Sequence, residues 1–389
     1  MVIEMTIGII CEYNPFHNGH LYHLNKIKEM YPNSTIILVM SGNITQRGDI
    51  SIIDKWDKTD IALYYGIDLV IELPFIYACN SSDIFSKGAI KILNELKINK
   101  IVFGSELNDI DILKKIANVQ INNKKYDNLV KKYIGDGINY PTACGKAIYE
   151  LTNININTPN DILGLSYIKE ILLNKYKIDP ICVKRTNDYH SVDLDNDITS
   201  ATSIRKALKD HQDISKYVPN KVLYYLYNIK YLDNYYPFIK YKILSQDIDN
   251  IYEIDNHIKS RIYKYIKNSS SLEELINNIK SKNYTYSRIK RLMIYILFNI
   301  TNNDINNFKD YIRILGFNNT GKQYLNNIKK DIKLPLITNY SNGKNLLNID
   351  YKINSILCIL LPKNLQKEYI EKEFKEKIRI VVDNNDDMC

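Results

Sequence analysis

Four apolar runs of strand length near the N-terminus constrain the fold most. They are TIGIIC (6–11), STIILVM (34–40), DLVIEL (68–73) and KIVFG (100–104), and a fifth run, PICVKR, follows at 180–185. None of them alternates apolar with polar residues, and segments long enough for helices separate them. Strands of this kind are buried on both faces, as in a parallel sheet. The pattern therefore predicts a doubly wound, Rossmann-like α/β domain that binds its ligands beyond the carboxyl ends of the strands.

The second half of the chain differs from the first in pattern and charge. From about residue 215 the apolar spacing is mostly helical. Residues 1–208 carry 23 Lys and Arg against 24 Asp and Glu, a net charge of −1, whereas residues 209–389 carry 29 against 20, a net charge of +9. We therefore predict an α/β domain over 1–208 and a mainly α-helical, basic region over 209–389. A basic region suits a polyanionic partner, although a coding bias towards Lys would give the same excess.

Composition excludes several classes of protein. Hydrophobic residues make up 45% of the chain and charged residues 25%, which is ordinary for a globular protein. No apolar run approaches the ~20 residues of a membrane-spanning helix, and the N-terminus lacks the basic flank of a signal peptide. The six cysteines are far apart, with no C-x-x-C pair. We expect a cytoplasmic protein with no membrane partner, reduced thiols and no cysteine-based zinc site.

The stretch EYNPFHNGHLYHL places three histidines, His17, His20 and His23, within seven positions. A metal site is one interpretation, because a helix could align the second with the third. Asn18 and Gly19 make a poor first turn for a rigid ligand cage, however, and no glutamate lies between the histidines as in an HExxH motif. We therefore predict no tightly bound metal.

A phosphate site is the alternative that the surroundings favour. The cluster follows the first predicted strand and opens the first predicted helix, where free amide N–H groups and the helix dipole attract anions. Gly19 allows close approach of the backbone. The imidazoles of His17 and His20 can donate hydrogen bonds to phosphoryl oxygens as charge builds up on a leaving pyrophosphate.

Two motifs resemble those of the nucleotidylyltransferase superfamily, and they occur in the same order along the chain. FHNGH (16–20) is similar to its HxGH motif, and TSATSIR (199–205) is similar to its Ser/Thr-rich loop that ends in Ile-Arg. The similarity is closer still to the tRNA(Met) cytidine acetate ligase family. The stretches that resemble that family are EYNPFHNGHLYH, SGNITQRGDISIIDKW, GIDLVIELPF, FGSE, NDILGLSY and KR followed by YH, which together cover most of residues 6–208. One departure is the TND sequence at Thr186–Asp188, where the family pattern has a glycine-containing turn.

The resemblance implies an ATP-dependent ligase with a nucleotidylyltransferase domain. Acetate and ATP would form acetyl-adenylate and pyrophosphate, with Mg²⁺ accompanying the ATP. The acetyl group would then pass to N4 of the wobble cytidine in elongator tRNA(Met), which gives N4-acetylcytidine. Activation as a mixed anhydride suits acetate, because adenylation asks the protein mainly for positioning and positive charge.

The same resemblance assigns residues to this chemistry. His17, His20 and Arg205 are the expected catalytic residues. The expected ATP-binding residues are Ile10, Cys11, Glu12, Tyr13, Asn14, Pro15, Phe16, His17, Asn18, Gly19, His20, Leu21, Tyr22, His23, Gly104, Asn160, Arg185, Ser200, Thr202 and Ser203. Without the resemblance, Gly104 could simply end a strand, Asn160 could cap a helix and Arg185 could pair with Asp188.

The charge pattern suggests further contacts. A group of basic residues in the helical region is the expected tRNA-binding surface: Lys264, Lys267, Arg288, Lys290 and Arg291. Gln46, Arg47 and Lys55 lie in a long loop near the expected ATP site, where they could contact substrate or simply be solvated.

Two other functions compete with the ligase. A small-molecule adenylyltransferase would share both motifs, but a small substrate needs no basic helical half. A nucleotide-regulated RNA-binding protein without chemistry would not need His17, His20 and Arg205 intact, and no stacking module of the usual RNA-binding kinds is visible.

Overall fold

The structure, a computed structural model, describes residues 5–185, 199–375 and 378–381. The departure at Thr186–Asp188 lies outside these residues. The described strands form one sheet in the order β5-β4-β1-β2-β3-β6-β7, with β8 also paired to β6. The strands are β1 (Thr6–Cys11), β2 (Thr35–Ser41), β3 (Leu69–Leu73), β4 (Lys100–Ser105), β5 (Asp179–Lys184), β6 (Ile312–Phe317), β7 (Leu336–Ile337) and β8 (Arg379–Ile380).

Helices fill most of the connections. In the first half they are α1 (Asn18–Met30), α2 (Lys55–Tyr64), α3 (Phe75–Ala78), α4 (Ser82–Glu95), α5 (Ile110–Asn122), α6 (Lys124–Gly135), α7 (Tyr140–Thr152), α8 (Pro159–Asn174) and α9 (Ala201–Lys209). In the second half they are α10 (Asn220–Leu223), α11 (Tyr236–Ser245), α12 (Asn256–Ile266), α13 (Leu272–Ile279), α14 (Tyr286–Phe298), α15 (Asn302–Asn306), α16 (Asn319–Ile328), α17 (Tyr340–Gly343), α18 (Asn348–Leu357) and α19 (Lys363–Lys375). Short 3-10 turns cover Leu232–Tyr235 and Cys358–Leu360.

The first five strands are parallel, as their unalternating sequences predict. Successive residues of β2 show why both faces must be apolar. Ile37 and Val39 join the core beneath α4 and α8, whereas Leu38 and Met40 join the core beneath α1, α2 and α9. Helices therefore cover both faces of the sheet, which confirms the predicted doubly wound α/β fold.

The second half of the chain forms a helical core of its own and also contributes strands to the sheet of the first half. Helices α11 to α14 bury a third cluster of Ile, Leu and Tyr side chains, which extends to Ile44, Ile50 and Phe75 of the first half. Strand β6 then pairs antiparallel with β3. The mainly helical character of residues 209–389 agrees with the sequence pattern. The division into two domains at residue 208 stays a prediction, since the sheet contains strands from both sides of it.

A buried network of ion pairs holds β6 and α19 of the second half against α2 and β3 of the first half. Lys55 on α2 lies 3.0 Å from a carboxylate oxygen of Glu72 at the end of β3 and 3.0 Å from one of Glu373 on α19. Arg313 on β6 contacts the same two carboxylates, at 3.1 Å from Glu72. All four side chains are buried. Lys55 therefore does not face solvent or substrate but joins four elements of the fold.

Within the described ranges, no helix is both long and apolar enough to cross a membrane. The same residues contain no cluster of three or more His, Cys, Asp or Glu side chains placed to hold a metal ion.

Candidate active site

A cleft of about 770 Å³ opens at the carboxyl ends of the parallel strands. Its walls come from the end of β1, the first turn of α1, the ends of β4 and β5, the start of α9 and one face of α14. The expected nucleotide residues that line it are Ile10, Cys11, Glu12, Tyr13, Asn14, His17, Gly19, His20, Tyr22, His23, Gly104, Asn160, Arg185, Ser200, Thr202 and Arg205. Five expected residues do not line it: Pro15, Phe16, Asn18, Leu21 and Ser203.

The two motif histidines interlock at the start of α1. His17 is the N-cap, and its Nδ1 accepts a hydrogen bond from the amide of Gly19 at 3.0 Å. His20 reaches back, and its Nδ1 accepts from the amide of His17 at 3.3 Å. The ring centroids are 3.9 Å apart. Because each Nδ1 is an acceptor, a neutral ring carries its proton on Nε2, which is then a donor for a ligand in the cleft.

Both rings are neutral at physiological pH. Burial, reinforced by the positive charges of Arg185 and Arg205, lowers the pKa of His17 to about 3. Burial and the neighbouring His17 hold the pKa of His20 well below its ordinary value. The histidines can therefore supply N–H donors, while the arginines supply positive charge.

Arg205 ties the second motif to the loop after β1. Its Nη1 donates to the carbonyl of Asn14 at 2.7 Å, and its Nη2 donates to the hydroxyl of Thr202 at 3.3 Å. Ser200 caps α9, because its hydroxyl accepts from the amide of Ser203 at 3.1 Å. The N-termini of α1 and α9 therefore face one cleft, an arrangement that suits a polyphosphate.

The opposite wall brings Gly104, Asn160 and Arg185 together. Asn160 donates to a carboxylate oxygen of Glu106 at 2.5 Å, and Nε of Arg185 lies 3.7 Å from that oxygen. The N-cap of α8 is Thr158, so Asn160 is not simply a capping residue. A Cβ added to Gly104 would lie 3.1 Å from the aliphatic stem of Arg185. A larger residue at this position would therefore push the Arg185 stem out of place.

A loop between β2 and α2 completes the cleft. The backbone amide of Gln46 donates to Glu12 at 2.6 Å, and Gln46 and Arg47 both line the cleft. The buried Lys58 ammonium donates to the carbonyls of Glu12, Ser41 and Gly42 at 2.7 to 3.0 Å. It therefore fixes the ends of β1 and β2. No pattern in the sequence indicates this role, because the three acceptors are backbone atoms.

Asp49 in the same loop links the two halves of the protein. Burial opposes its ionisation, but Lys290 and Arg205 outweigh that effect and lower the pKa of the carboxyl. Lys290 on α14 forms an ion pair with Asp49, and Arg205 lies 3.8 Å from it. No pattern in the sequence marked Asp49, since its partners lie more than 150 residues away.

The five basic residues expected to bind tRNA do not lie on one surface. Lys264 and Lys267 are exposed around the end of α12. Arg288 lies within 3.8 Å of carboxylate oxygens of Glu253 and Asp255. Lys290 pairs with Asp49 as described, and Arg291 is buried and lines the cleft. Their part in RNA binding stays a prediction.

Comparisons with known proteins identify the family of this chain. Residues 5–373 match the model of the HIGH nucleotidyl transferase family. The tRNA(Met) cytidine acetate ligase of Anoxybacillus flavithermus is 35% identical, covering 95% of this chain and 98% of that relative. The ligase of the same name from Caldicellulosiruptor saccharolyticus is 38% identical, covering 95% and 97%. The crystal structure of Thermotoga maritima TmcAL bound with alpha-thio ATP matches at a TM-score of 0.86 and 27% identity, covering 97% of this chain and all of that one.

These matches extend well beyond the motif stretches, because they include the helical region and the returning strands. They confirm the family expected from the motifs. The chain belongs to the HIGH nucleotidyl transferase family and, within it, to the tRNA(Met) cytidine acetate ligases.

Proposed function

We propose that the protein is an ATP-dependent ligase that acetylates N4 of the wobble cytidine in elongator tRNA(Met). In the first step a carboxylate oxygen of acetate attacks the α-phosphorus of ATP, and the bond to pyrophosphate breaks. In the second step the N4 amine attacks the acetyl carbonyl and loses a proton. AMP then leaves, and N4-acetylcytidine remains.

The observation that carries this proposal is the interlocked pair His17 and His20 at the start of α1. Both Nδ1 atoms hold backbone amides, so the Nε2–H groups can bind the phosphates of ATP. Arg185 and Arg205 are both close enough to act on His17, and they add positive charge that favours the leaving pyrophosphate. This division of labour needs no covalent intermediate on the protein, which suits adenylyl transfer.

The names and complexes of the relatives support the substrates. Two curated relatives that cover nearly the whole chain are named tRNA(Met) cytidine acetate ligases, and a TmcAL structure of the same fold holds an ATP analogue. Acetate and Mg²⁺ are parts of the proposal that come from the chemistry of the reaction. Mg²⁺ would be held mainly by the phosphates of ATP itself, as is usual for this ion. A tRNA substrate would place the protein in the cytoplasm.

Isotope exchange between pyrophosphate and ATP tests the first step. The proposal expects exchange that depends on acetate. Exchange that depends instead on a mononucleotide would favour a small-molecule adenylyltransferase, and no exchange with either would favour a binding protein without chemistry. The second step is tested by mass analysis of tRNA nucleosides from cells that lack the gene. N4-acetylcytidine should disappear from tRNA(Met) and return when the gene is restored.

A further inference from the structure

Arg291 on α14 is a buried cation that has no partner for its charge among the residues that the structure describes. Its side chain is only 8% exposed and its Nε is fully enclosed. Within the described residues, its guanidinium makes no hydrogen bond and no ion pair. Arg313 is buried to a similar degree, but its charge is paired, since it contacts both Glu72 and Glu373.

An unpaired buried charge is unfavourable in the folded protein. Burial of an ionised group without a partner costs several kcal/mol in general, so buried charges are normally paired or bind a ligand. Glu253, an acidic residue in the same region, does not supply that partner. Glu253 influences the same thiol, Cys79, as Arg291 does, but Glu253 pairs with Arg288 instead. Arg291 lines the cleft, so a ligand there can reach it.

Arg291 lies on the side of the cleft formed by the loop after β2. In the sheet, β1 has β4 and β5 on one side and β2 and β3 on the other. The residues expected to hold the nucleotide, Gly104 and Arg185, are on the β4 and β5 side. Arg291 packs against the loop that follows β2, where a Cβ on Gly48 would lie 2.8 Å from the Arg291 amide nitrogen. In an adenylyl transfer the second substrate attacks the α-phosphorus in line with the leaving pyrophosphate, so it needs a binding site of its own beside the nucleotide.

We propose that Arg291 binds the carboxylate of the acyl donor, a small monocarboxylate such as acetate. This inference rests on the proposed function. A guanidinium matches a carboxylate in shape and charge and can donate two parallel hydrogen bonds to it. Two other anions fit less well. The phosphates of ATP already have the two helix N-termini and Arg205, and an RNA backbone phosphate would have to enter the cleft to reach a side chain that is only 8% exposed.

The kinetic test uses Arg291→Gln. In acetate-dependent pyrophosphate exchange, the KM for acetate should rise by about 10- to 100-fold, the usual effect of losing a charge-assisted hydrogen bond. The KM for ATP should stay within about twofold, since Gly104 and Arg185, which are expected to hold the nucleotide, lie at the ends of β4 and β5 and Arg291 packs against the loop after β2. The control is Lys282→Gln, which removes one positive charge from the exposed segment just before α14 and should change neither constant. A rise in the KM for ATP alone would overturn the proposal.

A binding measurement separates this inference from the proposed function. Titration with ¹³C-labelled acetate, followed by NMR, should show saturable binding to the parent protein with ATP present and its loss in Arg291→Gln. If the parent binds acetate but does not exchange pyrophosphate, the proposed function fails and the Arg291 site stands. If the variant binds acetate as the parent does, the Arg291 site fails. Weaker tRNA binding with an unchanged KM for acetate would also overturn it.

Thermal unfolding distinguishes a ligand-binding role from a structural one. Because the charge has no partner in the described part of the folded chain, Arg291→Met should keep or raise the Tm in the absence of ligands, since Met fills a similar volume without a charge. A Tm lowered by more than about 5 °C would mean that Arg291 stabilises the fold, which contradicts the proposed role.

Discussion

Each motif histidine uses one ring nitrogen to hold the backbone and keeps the other for the cleft. His17 caps α1 and His20 accepts from the amide of His17, so each residue fixes the position of the other. A cap of ordinary type, such as Ser or Asp, would satisfy the amide but would leave no second donor for a ligand. The residue type is therefore set by chemistry and not by the helix.

Replacing His20 tests its contribution to adenylation. His20→Ala should lower the rate of acetate-dependent pyrophosphate exchange by about two to three orders of magnitude, the usual cost of losing a donor to developing charge. The lost hydrogen bond at the helix start should destabilise the fold by only about 1 kcal/mol. The matched control is His257→Ala, since His257 is exposed on α12. A folded His20→Ala variant that exchanges at the parent rate would refute this assignment.

The protonation of the pair can be observed directly. Because burial lowers the pKa of His17 to about 3, this ring should stay neutral down to pH 5, with its proton on Nε2. Nitrogen-15 NMR of the imidazoles reports both the charge and the tautomer. The unfolded chain takes up a proton near pH 6.5 and the folded chain does not, so this residue makes the protein less stable as pH falls from about 6.5 to 3. A titration of His17 with a midpoint near 6.5 would contradict the assignment.

At the scale of elements, the sequence is informative where one segment alone decides its structure. The five parallel strands were predicted within one or two residues, because a strand buried on both faces must be apolar throughout. Helix α1 begins within the histidine cluster as predicted, at Asn18, since the motif itself supplies the cap. Strand β6 was missed. Its sequence, IRILGF, contains Arg313, whose charge pairs with Glu72 and Glu373, which are distant in the chain.

The cleft, too, was predicted only where its residues are close together in the sequence. Its floor comes from the two motifs and was predicted, because those residues are consecutive in sequence. The wall formed by α14 was not, because Arg291 and Gly48 come together across more than 240 residues. The charge pattern of the sequence assigned Arg291 to an RNA-binding surface. Only the packing of α14 against the loop after β2 shows that this side chain is buried.

The ionic network that joins α2, β3, β6 and α19 predicts that replacing Glu373 lowers the free energy of unfolding by a large amount. Glu373→Gln keeps the shape but removes the charge that Lys55 and Arg313 share. Breaking a buried pair from one side typically costs about 3–5 kcal/mol, and denaturant unfolding should show a loss of this order. The control is Glu371→Gln, two positions earlier on the same helix, where the carboxylate pairs only with lysines at a more exposed site and should matter by less than about 0.5 kcal/mol.

The same carboxylate gives this stability a pH dependence. Burial opposes the ionisation of Glu373, but Arg313 and Lys55 outweigh it and lower the pKa to about 2, from an ordinary value of 4.5. The unfolded chain therefore binds the proton first as pH falls, and the stabilisation present above pH 4.5 should be lost between about 4.5 and 2. The parent should lose stability over this window, and Glu373→Gln should lose less. Parallel curves for the two proteins would contradict the ion-pair account.

At the scale of the whole molecule, the two halves differ in charge but share one sheet. The net charge is −1 over residues 1–208 and +9 over residues 209–389, yet β6, β7 and β8 extend the sheet of the first half. Some of the second half's positive charge is used internally, as the pairs of Lys290 with Asp49 and Arg313 with Glu72 show. The excess available to a polyanion is therefore carried by exposed residues such as Lys264 and Lys267.

These two lysines provide the test of where the tRNA binds. Each backbone phosphate that a protein neutralises releases counterions, so binding weakens as salt is added. Lys264→Gln combined with Lys267→Gln should weaken tRNA binding and reduce the slope of log Kd against log salt concentration by about one to two. Acetate-dependent pyrophosphate exchange should be unchanged, because neither residue lines the cleft. The measurement is a salt titration of tRNA binding.

The matched control removes the same charge from the other half. Lys124→Gln combined with Lys125→Gln alters two exposed lysines on α6, within the first 208 residues. If the second half provides the RNA surface, only the α12 variant changes the salt slope. If both variants change it equally, the effect reflects net charge and not a binding surface. If only the α6 variant changes it, the tRNA lies along the α/β half, and the +9 excess of residues 209–389 is then explained by coding bias rather than by RNA binding.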